Sequence, residues 1–460
     1  SAGNLGIAYY SLGRIAEALD FYEQALAIER EIGDRRGEGA DLGNLGVAYY
    51  SLGRIAEAIA YHEQALTIAR EIGDRGDEGS HLGNLGLAYR ALGRIAEALD
   101  CYQQALTIDR EIGDRRGEGA DLGNLGLAYS DLGRIAEAIA YYEQALTIAR
   151  EIGDRRGEGN HLGNLGIAYR NLGRIAEALD CYEQALTIAR EIGDRRGEGA
   201  DLGNLGNAYR GLGRIAEAIA YYEQALAIDR EIGDRRGEGI RLGNLGNAYR
   251  NLGRIAEALD CYEQALTIAR EIGDRYGETS RLEGLAWTAL MQGNFAQALT
   301  HAHESVRIAE EIDDPDRMSY AGVTLALIHA SAGDFAAALA AAETACAHEC
   351  PLNAAAAHAL RGSAAWRLGR VETAREAFRA ACAAVEAVPD YTALYEQLDA
   401  LGVAHCGLAL VEPEQRDAHL QAAREAFRAA RALTAAPGSV ADVQRRLALL
   451  DGGFEDLARG

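Results

Sequence analysis

The tetrapeptide Gly-Asn-Leu-Gly begins at Gly3 and returns at Gly43, Gly83, Gly123, Gly163, Gly203 and Gly243, a strict 40-residue step. A chain of near-identical short units cannot gather around one central core. Each unit buries its apolar face only by stacking on its neighbours. The 460 residues hold about eleven and a half such units. Within one of them Leu42, Leu45, Gly46 and Tyr49 follow i, i+3, i+4 and i+7, which predicts a first helix with a single packing face. Leu52-Gly53-Arg54 breaks the run, and Ile55, Ala58, Ile59, His62, Ala65, Leu66 and Ile68 give a second helical pattern. Gly73 is the expected C-cap and Asp74 the expected N-cap of the next helix. The fold expected is therefore all-α, a solenoid of about eleven helix-turn-helix units.

Six near-identical units start at Gly43, and residues 3–42 supply a seventh that lacks its first turn. Sequence upstream of Ser1 is expected on that ground. The segments ALDF or ALDC alternate with AIAY, so the true period is 80 residues. Beyond residue 282 the pattern decays but keeps its phase, which divides the chain into a regular part, 1–282, and a divergent Ala-rich part, 283–460, continuous with it. An insertion stands near Pro413, and residues 438–451 read as a last helix covering the exposed end of the stack.

The net charge is −24 and the chain has no lysine. A Walker A loop, a pyridoxal Schiff base and a protein-kinase site each require that residue, so all three are excluded. The acidic balance argues against general nucleic-acid binding. No apolar run approaches membrane-spanning length, and the N-terminus carries no basic-then-apolar leader, so a cytoplasmic location is expected. The ten histidines are scattered. His81 and His161 occupy a position held elsewhere by Asp or Arg, as at a variable exposed site. No nucleophile, base or paired-acid set is marked, so a chain without catalytic residues or cofactor is expected. Cys101, Cys181 and Cys261 stand where other units carry Phe21, Tyr61, Tyr141 and Tyr221, which reads as buried thiol packing. Cys346, His348 and Cys350 have a metal-like spacing but no clear fourth ligand, and no metal site is assigned there.

The order Leu45, Gly46, Ala48, Tyr49, Gly53, Ala58, Tyr61, Ala65 and Leu66 resembles the tetratricopeptide repeat. The 40-residue length and the closing EIGDRRGEG are similar to the long repeats of Pins/LGN scaffolds and kinesin light chains, and to the repeats that follow the ATPase module of bacterial STAND and AfsR-like regulators. The resemblance implies a right-handed superhelix whose concave groove binds a peptide or partner helix. On that geometry three columns of the first helix line the groove. The first is Gly43 and its equivalents, where the bare backbone would admit a ligand. The second runs from Ile7 and Val47 to Asn207 and Asn247. The third reads Tyr10, Tyr50, Arg90, Ser130, Arg170, Arg210 and Arg250. Asn207 and Asn247 stand where Pins/LGN-type repeats pair with a peptide backbone, and the arginines suit carboxylates, so an acidic protein or peptide partner is expected. Two other readings remain open: the ligand sensor of a larger STAND-type protein with an upstream ATPase or effector domain, and a spacer without a groove ligand.

Overall fold

The computed structural model describes residues 2–348, 350–388, 394–434 and 437–459. These residues are helical almost throughout and contain no strand. Eleven successive hairpins run from Ala2 to Leu433, each pairing a first helix such as Arg35–Ser51 with a second such as Ile55–Ile72, and one further α-helix, Pro437–Ala448, follows. They form two compact units, Ser1–Gly197 and Glu198–Gly460. Each is an all-α stack of helix-turn-helix repeats, the architecture of a solenoid.

Local chemistry sets the boundaries of each hairpin. Asp74 caps its helix by accepting from the Asp77 amide at 3.1 Å, and Gly73 ends the preceding helix at φ +73°, a left-handed conformation that suits glycine. The EIGDRRGEG motif, read from sequence as a repeat ending, forms the joint between repeats. Glu78, almost fully covered, accepts from Arg70 Nε at 2.9 Å and Arg75 Nη1 at 2.5 Å, while Arg75 Nη2 reaches Glu111 of the following repeat. The same triad recurs at Glu38, Glu118, Glu158, Glu238 and Glu278.

Between the helices of a hairpin, a buried tyrosine lies flat on a glycine. The Tyr102 ring fills the space a side chain at Gly86 would occupy, and Tyr142 does the same at Gly126. Arg54 stacks over Tyr49 at 4.5 Å and bonds Glu57. The 80-residue period has a physical basis here: Tyr49 stacks on Tyr61 at 5.1 Å, whereas in the next unit Cys101 replaces the second ring and the Tyr89 hydroxyl donates to Glu63 instead. Cys101, Cys181 and Cys261 are buried as expected, and burial pushes each thiol up to about 11, so they pack as neutral groups.

Two sequence expectations are corrected. The glycine column does not open the backbone to a ligand. The side chain 38 residues further on fills it: His81 over Gly43, His161 over Gly123, Arg241 over Gly203 and Arg281 over Gly243. His81 and His161 are consequently not exposed positions; His81 is buried, His161 is half-buried, and desolvation lowers the pKa of both. Periodicity could not see this, because the column is decided by contact with the neighbouring repeat.

Among the seven regular units His62 is the one departure from the tyrosine series at its position, and it is buried against Gly46 with an unpartnered Nδ1. Desolvation, and then His81 at 6.0 Å between rings, lowers its pKa to about 4. A base depressed in the folded state binds more protons when unfolded. Its contribution is therefore present above about 6.5 and lost as pH falls toward 4. The Tyr142–His161 pair, 80 residues on, shows that tyrosine fits beside this histidine. His62→Tyr is expected to raise the melting temperature at pH 5 more than at pH 8; an equal shift at both would contradict the assignment.

In the C-terminal unit the regular repeats give way to Ala-rich ones, and Phe378 and Phe427 take over the ring-on-glycine role at Gly362 and Gly402. The first helices Arg235–Asn251, Arg275–Met291, Pro315–Ser331, Pro351–Arg367 and Tyr395–Val411 touch in succession and form an inner layer. The helix Pro437–Ala448 is the last one expected, with a different placement. It packs on Arg235–Asn251 and Tyr395–Val411, across the inner layer, and Gly438 is pressed against the Arg250 carbonyl. The hydrophobic cover of the last hairpins comes from beyond it, from Leu450, Phe454 and Leu457, and the Trp366 indole N–H donates to the Leu450 carbonyl at 3.1 Å.

Candidate binding cavity

The inner layer and the C-terminal helix of residues 198–460 line a partly open cavity of about 620 Å³. Helical spacing brings Asn247, Arg250 and Asn251 to it from one first helix and Ser280, Arg281, Glu283 and Trp287 from the next, while Gly438, Asp442, Arg445 and Arg446 face them from the C-terminal helix. Two guanidiniums approach the Trp287 ring, Arg250 at 5.8 Å and Arg446 at 5.9 Å from its centroid. Arg317 stacks on Tyr276 at 3.8 Å, donates to Ser280 Oγ at 2.8 Å and stands 4.0 Å from Glu283. Burial pushes the Glu283 carboxyl up to about 7 in spite of Arg317, and Asp399 up to about 7 in spite of its hydrogen bond from Arg431. Burial also lowers the pKa of Arg281, whose Nη2 donates to the Gly239 carbonyl at 3.3 Å. The site is thus a desolvated box of charges in which small gains or losses of a partner carry weight.

Of the groove residues expected from sequence, Asn247 and Arg250 line this cavity. Arg210, in the same unit, has Tyr222, Tyr395 and Glu396 as electrostatic neighbours. Asn207 and Asn247 each accept a tyrosine hydroxyl of their own hairpin at 2.8 Å, from Tyr222 and Tyr262, which leaves the amide donors to face outward chemistry. Tyr10, Tyr50, Arg90 and Arg170 belong to the other unit. There Tyr10 bonds Ser51 Oγ at 2.7 Å, Arg90 pairs with Asp131 at 2.5 Å, Tyr50 is exposed and Arg170 is half-buried. Cys346 contacts His358 Nδ1 at 3.4 Å, and among the described residues no group of His, Cys, Asp and Glu has the arrangement of a metal centre. Sequence reasoning missed Arg281, Trp287, Arg445 and Arg446. Trp287 continues the column of Asn207 and Asn247, and Arg281 continues the series of His81, His161 and Arg241, but nothing local points Arg445 and Arg446 at them.

Stacked helical hairpins with an inner layer of first helices define an α-solenoid repeat protein. A tetratricopeptide repeat family model matches residues 1–71, 77–151, 157–231 and 240–311, and a second tetratricopeptide repeat model matches 323–392. The chain belongs to the tetratricopeptide repeat family. A model of anaphase-promoting complex subunit 5 also matches residues 287–349. No curated protein matches the sequence. Among solved structures, a STAND protein with a tetratricopeptide repeat sensor from Pyrococcus horikoshii is similar over 81% of this chain and 53% of that one, at 18% identity and a TM-score of 0.54. The apo form of RapI is similar over 59% of this chain and 98% of its own, at 15% identity and a TM-score of 0.50. A kinesin light chain-like protein from Podosopora anserina with nearly identical repeats covers 41% of this chain and 94% of its own, at 24% identity and a TM-score of 0.36. These likenesses concern the fold, and the chain spans about half the length of the STAND protein. No helix among the described residues is long and apolar enough to cross a membrane.

Proposed function

We propose that the chain is a non-catalytic recognition module whose inner face takes a helical or extended segment of a protein partner. The observation that carries this reading is that the inner face of the C-terminal unit holds such a segment, its own helix Pro437–Ala448, laid across Arg235–Asn251. Arg210 and Arg250 give that face a preference for acidic side chains, with charge-assisted bonds of about 1.5–3 kcal/mol each where shielded. A partner has to displace the C-terminal helix to reach them. Gly438→Leu sets a side chain against the Arg250 carbonyl, which already lies 2.4 Å from where a Cβ would be, and so should free the face. Affinity for a captured partner is expected to rise about tenfold in Gly438→Leu and to fall about tenfold or more in the Arg210/Arg250→Ala double variant, which corresponds to about 1.4 kcal/mol each way. The same proteins retained equally by all three chains would sink the reading.

A second reading, the ligand-sensing region of a larger STAND-type regulator in the cytoplasm, is favoured by the cavity volume of about 620 Å³, which lies in the range of small-molecule sites. Binding of a small ligand that tightens the contact of the C-terminal helix would distinguish it from the protein-groove reading.

A further inference from the structure

The carboxylates around the cavity already have their guanidiniums. Asp399 is hydrogen-bonded by Arg431, Asp442 is 3.4 Å from Arg446, Glu283 is 4.0 Å from Arg317, and Glu396 faces Arg210. Arg250, Arg281 and Arg445 make no ion pair among the described residues, although Glu283 is an electrostatic neighbour of Arg250 and Arg281, and Asp274 of Arg281. Arg250 has the Trp287 face, Arg281 has one backbone carbonyl, and Arg445 Nη1 is buried with no partner at all. In a chain of net charge −24, three arginines without an ion pair lining one partly open cavity stand out. Glu283 and Asp274 offset part of the cost of desolvating them, and a bound anion in direct contact removes more of it.

We propose that this cavity binds a small organic anion carrying two or three phosphate or carboxylate charges, held by Arg250, Arg281 and Arg445. The volume of about 620 Å³ lies in the range of small-molecule sites and far exceeds a lone chloride or phosphate ion. The neutral groups beside the arginines, Asn247 and Ser280, suit hydroxyls on the same ligand. Burial lowers the Arg281 pKa in spite of Asp274 and Glu283, so an anion in contact with it has desolvation left to offset. Because Arg445 comes from the C-terminal helix and Arg250 and Arg281 from the inner layer, the anion ties the two together. The inference goes beyond the protein-partner reading and does not depend on it.

Both tryptophans of the chain report on this contact, Trp287 beside Arg446 and Trp366 bonded to the Leu450 carbonyl. The full chain is titrated with citrate for the carboxylate class and fructose 1,6-bisphosphate for the phosphate class, with glucose as a neutral control at matched ionic strength. Tryptophan emission and calorimetry are recorded. At least one anion is expected to bind saturably below about 1 mM and to raise the melting temperature. Arg281→Gln and Arg445→Gln are expected to weaken binding by about tenfold or more, while Arg370→Gln, on an exposed turn, leaves it unchanged. Arg445 sits on the C-terminal helix, outside the repeat core, so its variant decides the matter if Arg281→Gln fails to fold. No saturable response to either anion, or wild-type binding in Arg445→Gln, overturns the proposal.

Discussion

Tyr142→Ala is expected to lower the unfolding free energy of the N-terminal unit by about 3–5 kcal/mol, the range for removing a large buried ring. The Tyr142 ring is 2% exposed and its Cε1 lies 2.5 Å from where a Cβ on Gly126 would be. The glycine is there because the ring is, so on truncation no neighbouring side chain stands ready to fill the hole. Gly126→Ala alone is expected to cost about 1–3 kcal/mol through the same contact. In the double variant the methyl enters the vacated space, so the two losses should fall short of their sum by about 1 kcal/mol or more. Urea unfolding of the four proteins measures the cycle. Because the repeats couple chiefly to nearest neighbours, hydrogen exchange should show protection lost first in the hairpin Arg115–Ile152. Additive losses would mean that the ring and the glycine are not the unit of packing.

The second large effect is a gain. At the joint between two repeats Asp109 and Asp121 are neighbouring carboxyls and Asp121 Oδ2 is buried without a hydrogen-bond partner; burial and then the Asp109 charge push Asp121 up to about 8, and burial and then the Asp114 charge push Asp109 up to about 6. The equivalent pair in the C-terminal unit is Asp229 and Arg241, an ion pair at 3.2 Å whose guanidinium also donates to the Gly199 carbonyl at 3.1 Å. Asp121 lies over Gly83 as Arg241 lies over Gly203, so an arginine has the same room. Asp121→Arg is expected to stabilise the protein by about 2 kcal/mol near neutral pH, or ~5 °C in melting temperature. The pH dependence supplies a sharper test. A carboxyl whose pKa is raised on folding contributes its stability below about 4 and loses it as pH rises through its folded value. The wild-type protein should therefore lose stability between about pH 4 and 8 from this joint, while the variant should show a flatter profile there. A variant less stable than wild type at pH 8 would refute the reading of the pair.

The two joints also show where local pattern stops being informative. Asp109 and Asp229 occupy the same position in otherwise near-identical units, and what stands 12 residues later decides whether the carboxylate is paired with a cation or with another acid. Likewise Gly43 reads as an opening until His81, one repeat on, is seen to fill it. In both cases the deciding neighbour is on the next hairpin, at a separation that helical periodicity does not address.

Helix type, hairpin length, the Asp74 and Gly73 caps, the buried face with Leu42, Leu45 and Tyr49, and the repeat family were legible because each depends on residues within a few turns of one another. Arg170, Arg210 and Arg250 share one column in sequence, yet their surroundings differ because they are set by packing rather than by period. Only the tertiary structure brings Arg445 and Arg446 to Arg250 and Trp287 and makes a cavity of them. The physical reason is that stacking is a nearest-neighbour interaction: each repeat fixes a small rotation onto the next, and the meeting of residues about two hundred positions apart is the accumulated result of those rotations, written in no single one of them.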